Sequence, residues 1–537
     1  MRRQAIALAF ALSSAAGAAA PVHLSPAVAE QARLHPGERI DVLVTYRSRP
    51  GGFERGRAQA AGAEVQEAFD LVPAVAMRVP AQALARLASD PSVAAITLDA
   101  PIEANTVSLP SPARAAVLGL PPSGSSGSAV TVAVLDSGYT SHPDLKTSVL
   151  ASVSFAGSKV TDEYGHGNHV AGIIAGIGDK SVGLYQGLSP STKIVSVRVL
   201  DANGRGTTSG VLAGLDWVRQ NRDRHKIRVV NLSLGHPALD PAAADPLVAA
   251  VNALWDAGIV VVCSAGNQGA SGYGTISSPG TSAKVITVGS VTHFATSLLL
   301  DDKVSSYSSR GPTRFDQFAK PDLLAPGNRI ISVRAKDSSL ERTYPEWKIV
   351  APGFAAPEYF ALSGTSMAAA EVSATVALML QKDPTLSPAT VKARLMKSAR
   401  KVDMGDPFAT GAGVLDVSAA LAAGGTASAA PSPSVVRDQA NGMLLFSNTE
   451  VTFGGSTWSL PSLFGPVLWS DFVLPRAGVV GSPGALFSDT ALWGDTALWG
   501  DTALWGDTAL WGDTALWGDT VLLGDSTPTS DIAPVGD

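Results

Sequence analysis

The chain has a single cysteine, Cys263, so no intrachain disulfide framework can hold it together. Charge is scarce as well. Asp, Glu, Lys and Arg make up 16% of the 537 residues, where a globular protein usually carries about a quarter. With 40 basic against 46 acidic residues neither sign dominates, which excludes a dedicated nucleic-acid binder. The 45% apolar content is too high for a disordered chain. Long apolar runs are missing beyond the N-terminus: nowhere do about 18 such residues follow one another, so no transmembrane segment is expected. The length is sufficient for roughly two to four domains with a sizeable core.

What charge there is lies unevenly. No basic residue follows Arg476, whereas nine aspartates run from Asp489 to Asp537; setting these aside turns the formal charge of −6 into +3. The body is therefore nearly neutral and the end acidic. Five of the ten tryptophans crowd between Trp493 and Trp517.

Four regions follow from the patterning. Residues 1–20 combine a basic start (Met1-Arg2-Arg3), an apolar run from Ala5 to Ala20 and small residues at Ala18-Ala19-Ala20 or Ala27-Val28-Ala29, the layout of an export signal. A secreted protein, extracellular or associated with the cell surface, is expected. Residues 21–110 read as a small α+β domain, with strands at Arg39 to Tyr46, Leu71 to Val79 and Val93 to Leu98 and helices at Glu54 to Ala68 and Ala81 to Ser89. A Pro/Ser cluster from Leu109 to Ser128 marks a linker.

Residues 111–424 form the third region, in which short β-branched runs alternate with helical stretches. Strands are expected at Val130 to Leu135, Lys193 to Val199, Arg228 to Leu234, Ile259 to Cys263 and Val285 to Val288, with helices at Ser209 to Gln220, Ala243 to Asp256 and Ser366 to Gln381. This predicts an α/β fold with a parallel sheet covered by helices on both faces, and a site beyond the carboxyl ends of the strands. Residues 425–537 are an extension containing five copies of Ala-Leu-Trp-Gly-Asp-Thr over 491–520.

Three motifs carry chemistry. The first strand ends in Asp136-Ser137-Gly138; glycines flank His166 in Gly165-His166-Gly167-Asn168-His169; and Ser363-Gly364-Thr365-Ser366-Met367-Ala368 opens an apolar helix. A serine at a helix N-terminus, an approachable histidine and a strand-end aspartate are the inventory for acyl transfer. Serine attacks, histidine moves the proton, and aspartate orients the imidazole. The run Ser264-Ala265-Gly266-Asn267 after a strand adds an amide able to donate to an oxyanion, with the Ser366 backbone N–H as second donor. Two histidines three apart also raise zinc, but no further ligand completes such a site; His169 is read as a hydrogen-bonded core residue.

With these residues the chain resembles the subtilisin-like serine proteases, the subtilases, over about Ala129 to Ala423. The order Asp, His, Ser is that of subtilisin. The resemblance implies a triad of Asp136, His166 and Ser366 with Asn267 in the oxyanion hole. It implies polypeptide substrates bound as an added β-strand between Ser233-Leu234-Gly235 and Gly204-Arg205-Gly206, with Ser264, Ala265 and Gly266 lining the pocket for the residue before the scissile bond. It further implies that residues 21–110 are a ferredoxin-like inhibitory propeptide, cut off between Asn105 and Ser128 and acting as an intramolecular inhibitor. Catalysis needs no cofactor. Asp144 matches a calcium position of relatives, but the partner loop places Lys180 where a neutral ligand is expected, and an ammonium cannot ligate calcium. Asn168, in place of the usual Thr, and Ala370-Glu371 depart from the family pattern without removing a catalytic group.

Two readings of the tail stand. A period of six places Ala, Trp and Asp on one face of a strand, as in a β-solenoid; alternatively the tail is a low-complexity extension. In either form it is a candidate surface- or partner-binding segment. A sedolisin-like site is opposed by the glycine-flanked His166. A catalytically silent subtilase scaffold is the alternative from another class.

Overall fold

The computed structural model of the chain describes residues 21–105, 130–293, 302–401 and 407–437, with short β pieces at Leu444–Ser447, Glu450–Phe453, Ser456–Ser459, Val479–Val480 and Ser482–Pro483. The expected export signal, the linker from Leu109 to Ser128 and the hexapeptide repeats lie outside the described residues. The described chain divides into two compact units: residues up to Gln66 together with Pro73–Leu98, and Glu67–Val72 together with everything from Asp99 onward.

The first unit is built on a five-stranded sheet, ordered His23–Leu24, Val93–Leu98, Arg39–Tyr46, Ala74–Pro80, Glu64–Ala68. Strict alternation in the strand Arg39–Tyr46 sends Ile40, Val42, Val44 and Tyr46 into one core with Val75, Met77, Val79 and Ile96. The expected helix from Glu54 to Ala68 is shorter than its pattern suggested. It spans Gly52–Ala60, and Glu64–Ala68 is a strand instead. Gly62, at φ 94°, turns the chain out of the helix after Ala61.

The second unit centres on an eight-stranded sheet. Its order is Lys303–Val304, Ile286–Thr292, Val260–Ser264, Ile227–Leu232, Thr131–Asp136, Lys193–Arg198, Val149–Ser154, with Leu323–Pro326 also beside Ile286–Thr292. All pairs are parallel except that with Lys303–Val304. The inner strands are almost entirely buried runs of Val, Ile and Leu, as a sheet covered on both sides requires, whereas the edge strands Val149–Ser154 and Lys303–Val304 are only partly covered. Helices His166–Ala175 and Thr365–Lys382 pack together, and the latter lies across Ile227–Leu232 and Val260–Ser264. Helices Thr208–His225 and Pro246–Asp256 form a second pair against the same strands.

Thr131–Asp136 is first in this unit's sheet yet sits centrally, with later strands on either side. That is a switch point, where chains leaving neighbouring strands diverge and open a crevice. The helix His166–Ala175 was not among the expected elements. Its glycines carry weak helix propensity, and burial along its whole length supplies the stability that propensity lacks.

Candidate active site

Asp136 ends the central strand and is 1% exposed. Its Oδ1 accepts a hydrogen bond from His166 Nδ1 at 2.7 Å and a second, also 2.7 Å, from the Ser137 backbone N–H. His166 is the first residue of its helix, and its ring is buried. With Nδ1 held by a carboxylate, the tautomer leaves the Nε2 lone pair free to take a proton, and Nε2 has no hydrogen-bond partner among the described residues.

A second carboxylate stands behind this pair. Asp162 Oδ1 accepts from Ser137 Oγ and the Gly165 N–H, and Oδ2 from the Asn168 N–H, each at 2.7 Å. Burial pushes its carboxyl above the usual range, against the pull of these three donors. Asp162 ties the strand end at Ser137 to the turn that begins the histidine helix. Sequence reasoning missed this role; an acidic residue one turn ahead of His166 was the only signal. Asn168 completes the junction, because its side-chain amide pairs in both directions, at 2.8 Å each, with the backbone of Thr140.

Ser366 is the second residue of helix Thr365–Lys382. Gly364 ahead of it adopts φ 152°, and a Cβ there would collide with the carbonyl oxygen of Asn105 and come within 3.2 Å of Asn267 Nδ2. Asn267 is oriented by its own oxygen: Oδ1 accepts from the Thr365 N–H and Oγ1, both at 3.0 Å. Its Nδ2 is thereby turned away from Thr365, buried near Gly364 and without a partner among the described residues. Such a donor is what a developing oxyanion needs.

The cleft is filled by the chain itself. Strand Pro101–Ala104 lies antiparallel between Arg205–Thr207 and Leu234–Pro237, pairing Ile102 with Gly206, Glu103 with both Arg205 and Gly235, and Ala104 with Leu234. Ala104 N–H donates to Gly204 O at 3.1 Å, and Asn105 N–H to Ser233 O at 3.3 Å. Ser366 Oγ then lies 2.7 Å from Asn105 O and 3.0 Å from Ser233 O, two acceptors for its one proton. Ser264 Oγ accepts from the Asn105 side-chain amide at 2.7 Å. Gly266 is held by its N–H to Thr365 Oγ1, 3.2 Å, with Ala265 buried beside it. Thus the residues singled out from sequence fall into two connected groups: Asp136 with His166, and 204–206, 233–235, 264–267 and 366 around the segment ending at Asn105.

Two other candidates lie apart from both. His169 Nε2 is 3.0 Å from the carbonyls of both Ile330 and Phe360, a buried position facing away from His166's partner. Asp144 accepts from the Lys180 N–H at 3.0 Å and from Tyr359 OH at 2.6 Å, one bond per carboxylate oxygen. The surroundings supply donors where a cation needs acceptors, so Asp144 does not fit a calcium ligand. Among the described residues no group of three or more His, Cys, Asp or Glu side chains is placed to hold a metal. Cys263 is wholly buried one residue before Ser264, and burial pushes its thiol up to about 12, which makes it an inert core residue.

Comparison with known proteins agrees with this architecture. The subtilase (peptidase S8) family profile matches residues 127–413. Serine protease AprX of Bacillus subtilis (strain 168) is 40% identical over 297 residues, covering 54% of this chain and 65% of AprX, a little under two thirds of that protein. Subtilisin DY of Bacillus licheniformis is 36% identical, covering 55% of this chain and 92% of its own. The crystal structure of fervidolysin from Fervidobacterium pennivorans, described as a keratinolytic enzyme related to subtilisin, superposes with a TM-score of 0.58. It does so at 23% identity, over 81% of this chain and 70% of that one, and so speaks for the fold alone. The chain belongs to the subtilase family of serine peptidases.

Proposed function

We propose that the chain is an exported serine endopeptidase made as a zymogen, hydrolysing peptide bonds through an acyl-enzyme. Ser366 Oγ adds to the carbonyl carbon of the scissile bond while His166 Nε2 takes its proton. Asp136 holds the imidazole in the required tautomer and stabilises its charged form. The Asn267 amide and the Ser366 backbone N–H receive the oxyanion. His166 then returns the proton to the leaving amine, and water releases the acyl group by the same route. Backbone pairing on the two cleft strands selects for an extended chain and is tolerant of sequence.

One observation carries the reading: an extended stretch of the chain itself pairs with both cleft strands and delivers a carbonyl to Ser366. A substrate-like segment joined to an N-terminal domain supports an intramolecular inhibitor removed by cleavage. The β-α-β-β-α-β succession from Arg39 to Leu98 supports a ferredoxin-like propeptide over 21–110. Export rests on the basic, apolar and small-residue succession of residues 1–20. No helix among the described residues is long and apolar enough to cross a membrane. The acidic, Trp-rich extension is assigned to binding a surface or partner.

A serine-directed fluorophosphonate tests the mechanism. It should label the processed wild-type protein and leave Ser366→Ala unlabelled. Unlabelled wild-type protein would instead favour a catalytically silent scaffold.

A further inference from the structure

Resting on that reading, we propose that the pocket for the residue before the scissile bond takes a short side chain ending in a carboxamide. Ser264 reads the carboxamide, Ser277 limits its length, and the bond cut in the chain's own precursor is Asn105–Thr106.

Asn105 occupies that pocket by three contacts. Its N–H donates to Ser233 O at 3.3 Å, its carbonyl oxygen lies 2.7 Å from Ser366 Oγ, and its Nδ2 donates to Ser264 Oγ at 2.7 Å. The first two hold its carbonyl group against the Ser366 hydroxyl. Ser366 Oγ therefore forms the ester to Asn105, the C–N bond to Thr106 breaks, and the hydroxyl proton passes through His166 to the Thr106 nitrogen. Water then hydrolyses the ester and regenerates Ser366.

The third contact is chemical recognition. Ser264 is 1% exposed, at the end of strand Val260–Ser264, and its own hydroxyl proton points at Leu232 O, 3.4 Å away. That leaves an oxygen lone pair toward the pocket, which is complementary to an N–H donor. A carboxylate in place of the amide would set two acceptors against each other in a buried site. An aliphatic side chain would leave the hydroxyl without its pocket partner.

Depth is set by Ser277, in the short strand Ser277–Ser278 that pairs with His236–Pro237. A Cβ on Gly266 would collide with Ser277 Oγ, and one on Gly235 would come 3.1 Å from Ser277 Cβ. The serine thus fills the space between the two glycines that form the pocket's walls. A large aromatic or branched side chain would need that space.

The test uses enzyme matured from the full-length chain, a peptide library read by mass spectrometry, and the mass of the N-terminal fragment released on processing. The fragment should end at Asn105, and Asn should be enriched before the cut over Asp, Leu and Phe. Ser264→Ala should lower kcat/KM for an Asn peptide, relative to the matched Ala peptide, by roughly 3- to 10-fold, the worth of one neutral hydrogen bond. Ser277→Gly should raise cleavage after Leu and Phe. Fluorophosphonate-labelled enzyme that prefers aromatic or large aliphatic residues, or releases a fragment ending elsewhere, overturns the specificity and leaves the peptidase reading intact. Protein that takes no label overturns both.

Discussion

Ser366 Oγ lies 2.7 Å from the carbonyl oxygen of Asn105, a residue 261 positions earlier in the chain. The Ser366 hydroxyl is thus engaged by an earlier stretch of its own chain, while His166 Nε2 has no hydrogen-bond partner among the described residues. Replacing Ser366 by Ala removes the attacking oxygen and leaves the paired strand Pro101–Ala104 in place. The Ser366→Ala protein should accumulate as a precursor with Asn105 and Thr106 still joined. N-terminal sequencing that finds normal processing in the pure variant would show that another protease does the cutting.

Asn267 offers a second test. Its Oδ1 is bound by Thr365, so its one remaining role is donation from the buried Nδ2, which has no partner among the described residues. Asn267→Leu should lower kcat about 10²- to 10³-fold, roughly 3–4 kcal/mol of barrier, the range established for the side-chain donor of subtilisin. KM should change little, because the interaction is made only in the transition state. Equal losses in ground-state binding would contradict the assignment.

Asp162 holds three donors by charge and geometry. Asp162→Asn turns an N–H₂ toward a donor at one of them. In the Ser366→Ala background, where self-digestion is absent, unfolding should be easier by about 1–3 kcal/mol, the cost of leaving a buried group unsatisfied. In the active enzyme the loosened junction should lower kcat more than it raises KM. A variant with unchanged stability and rate would remove Asp162 from the framework of the histidine helix.

A pH effect follows from a buried cluster away from the cleft. Lys320 and Lys392 are both buried and share one carboxylate, Asp322, at 2.7 and 3.0 Å. Burial, reinforced by the neighbouring ammonium, lowers Lys392 from 10.5 to about 7. Between those values the unfolded chain keeps a proton that the folded protein has shed, so rising pH favours the folded state. Below about 7 both states are protonated and the effect vanishes. One proton corresponds to about 1.4 kcal/mol per pH unit inside the window. Measured by urea unfolding in the Ser366→Ala background, stability should gain less between pH 7.5 and 9.5, about the range tested, once Lys392→Met is added. Parallel curves for the two proteins would refute the shift.

Much of the site was legible in the residue order because each part depends on local backbone. Asp136 follows a β-branched run, His166 sits between glycines, and Ser366 opens an apolar helix. The strands around Thr131 and Lys193 were equally plain, being short runs of Val, Ile and Leu bounded by polar residues. The helix His166–Ala175 was not, since glycines inside it mask a segment stabilised by burial. The strand Glu64–Ala68 was merged into a helix because its charged residues carry no alternation of apolar side chains.

The sequence by itself determined the chemical inventory: an aspartate, a histidine, a serine and an asparagine in motifs whose local conformations are set by their neighbours. Only the tertiary structure decided what meets what. It set Asp162 behind the histidine turn, Ser277 between Gly235 and Gly266, two lysines on one carboxylate, and Asn105 against Ser366. The links of Asp162 to Ser137, Lys392 to Asp322 and Ser366 to Asn105 join residues tens to hundreds of positions apart. They arise from packing and the exclusion of water, which act through space and leave no periodic trace along the chain.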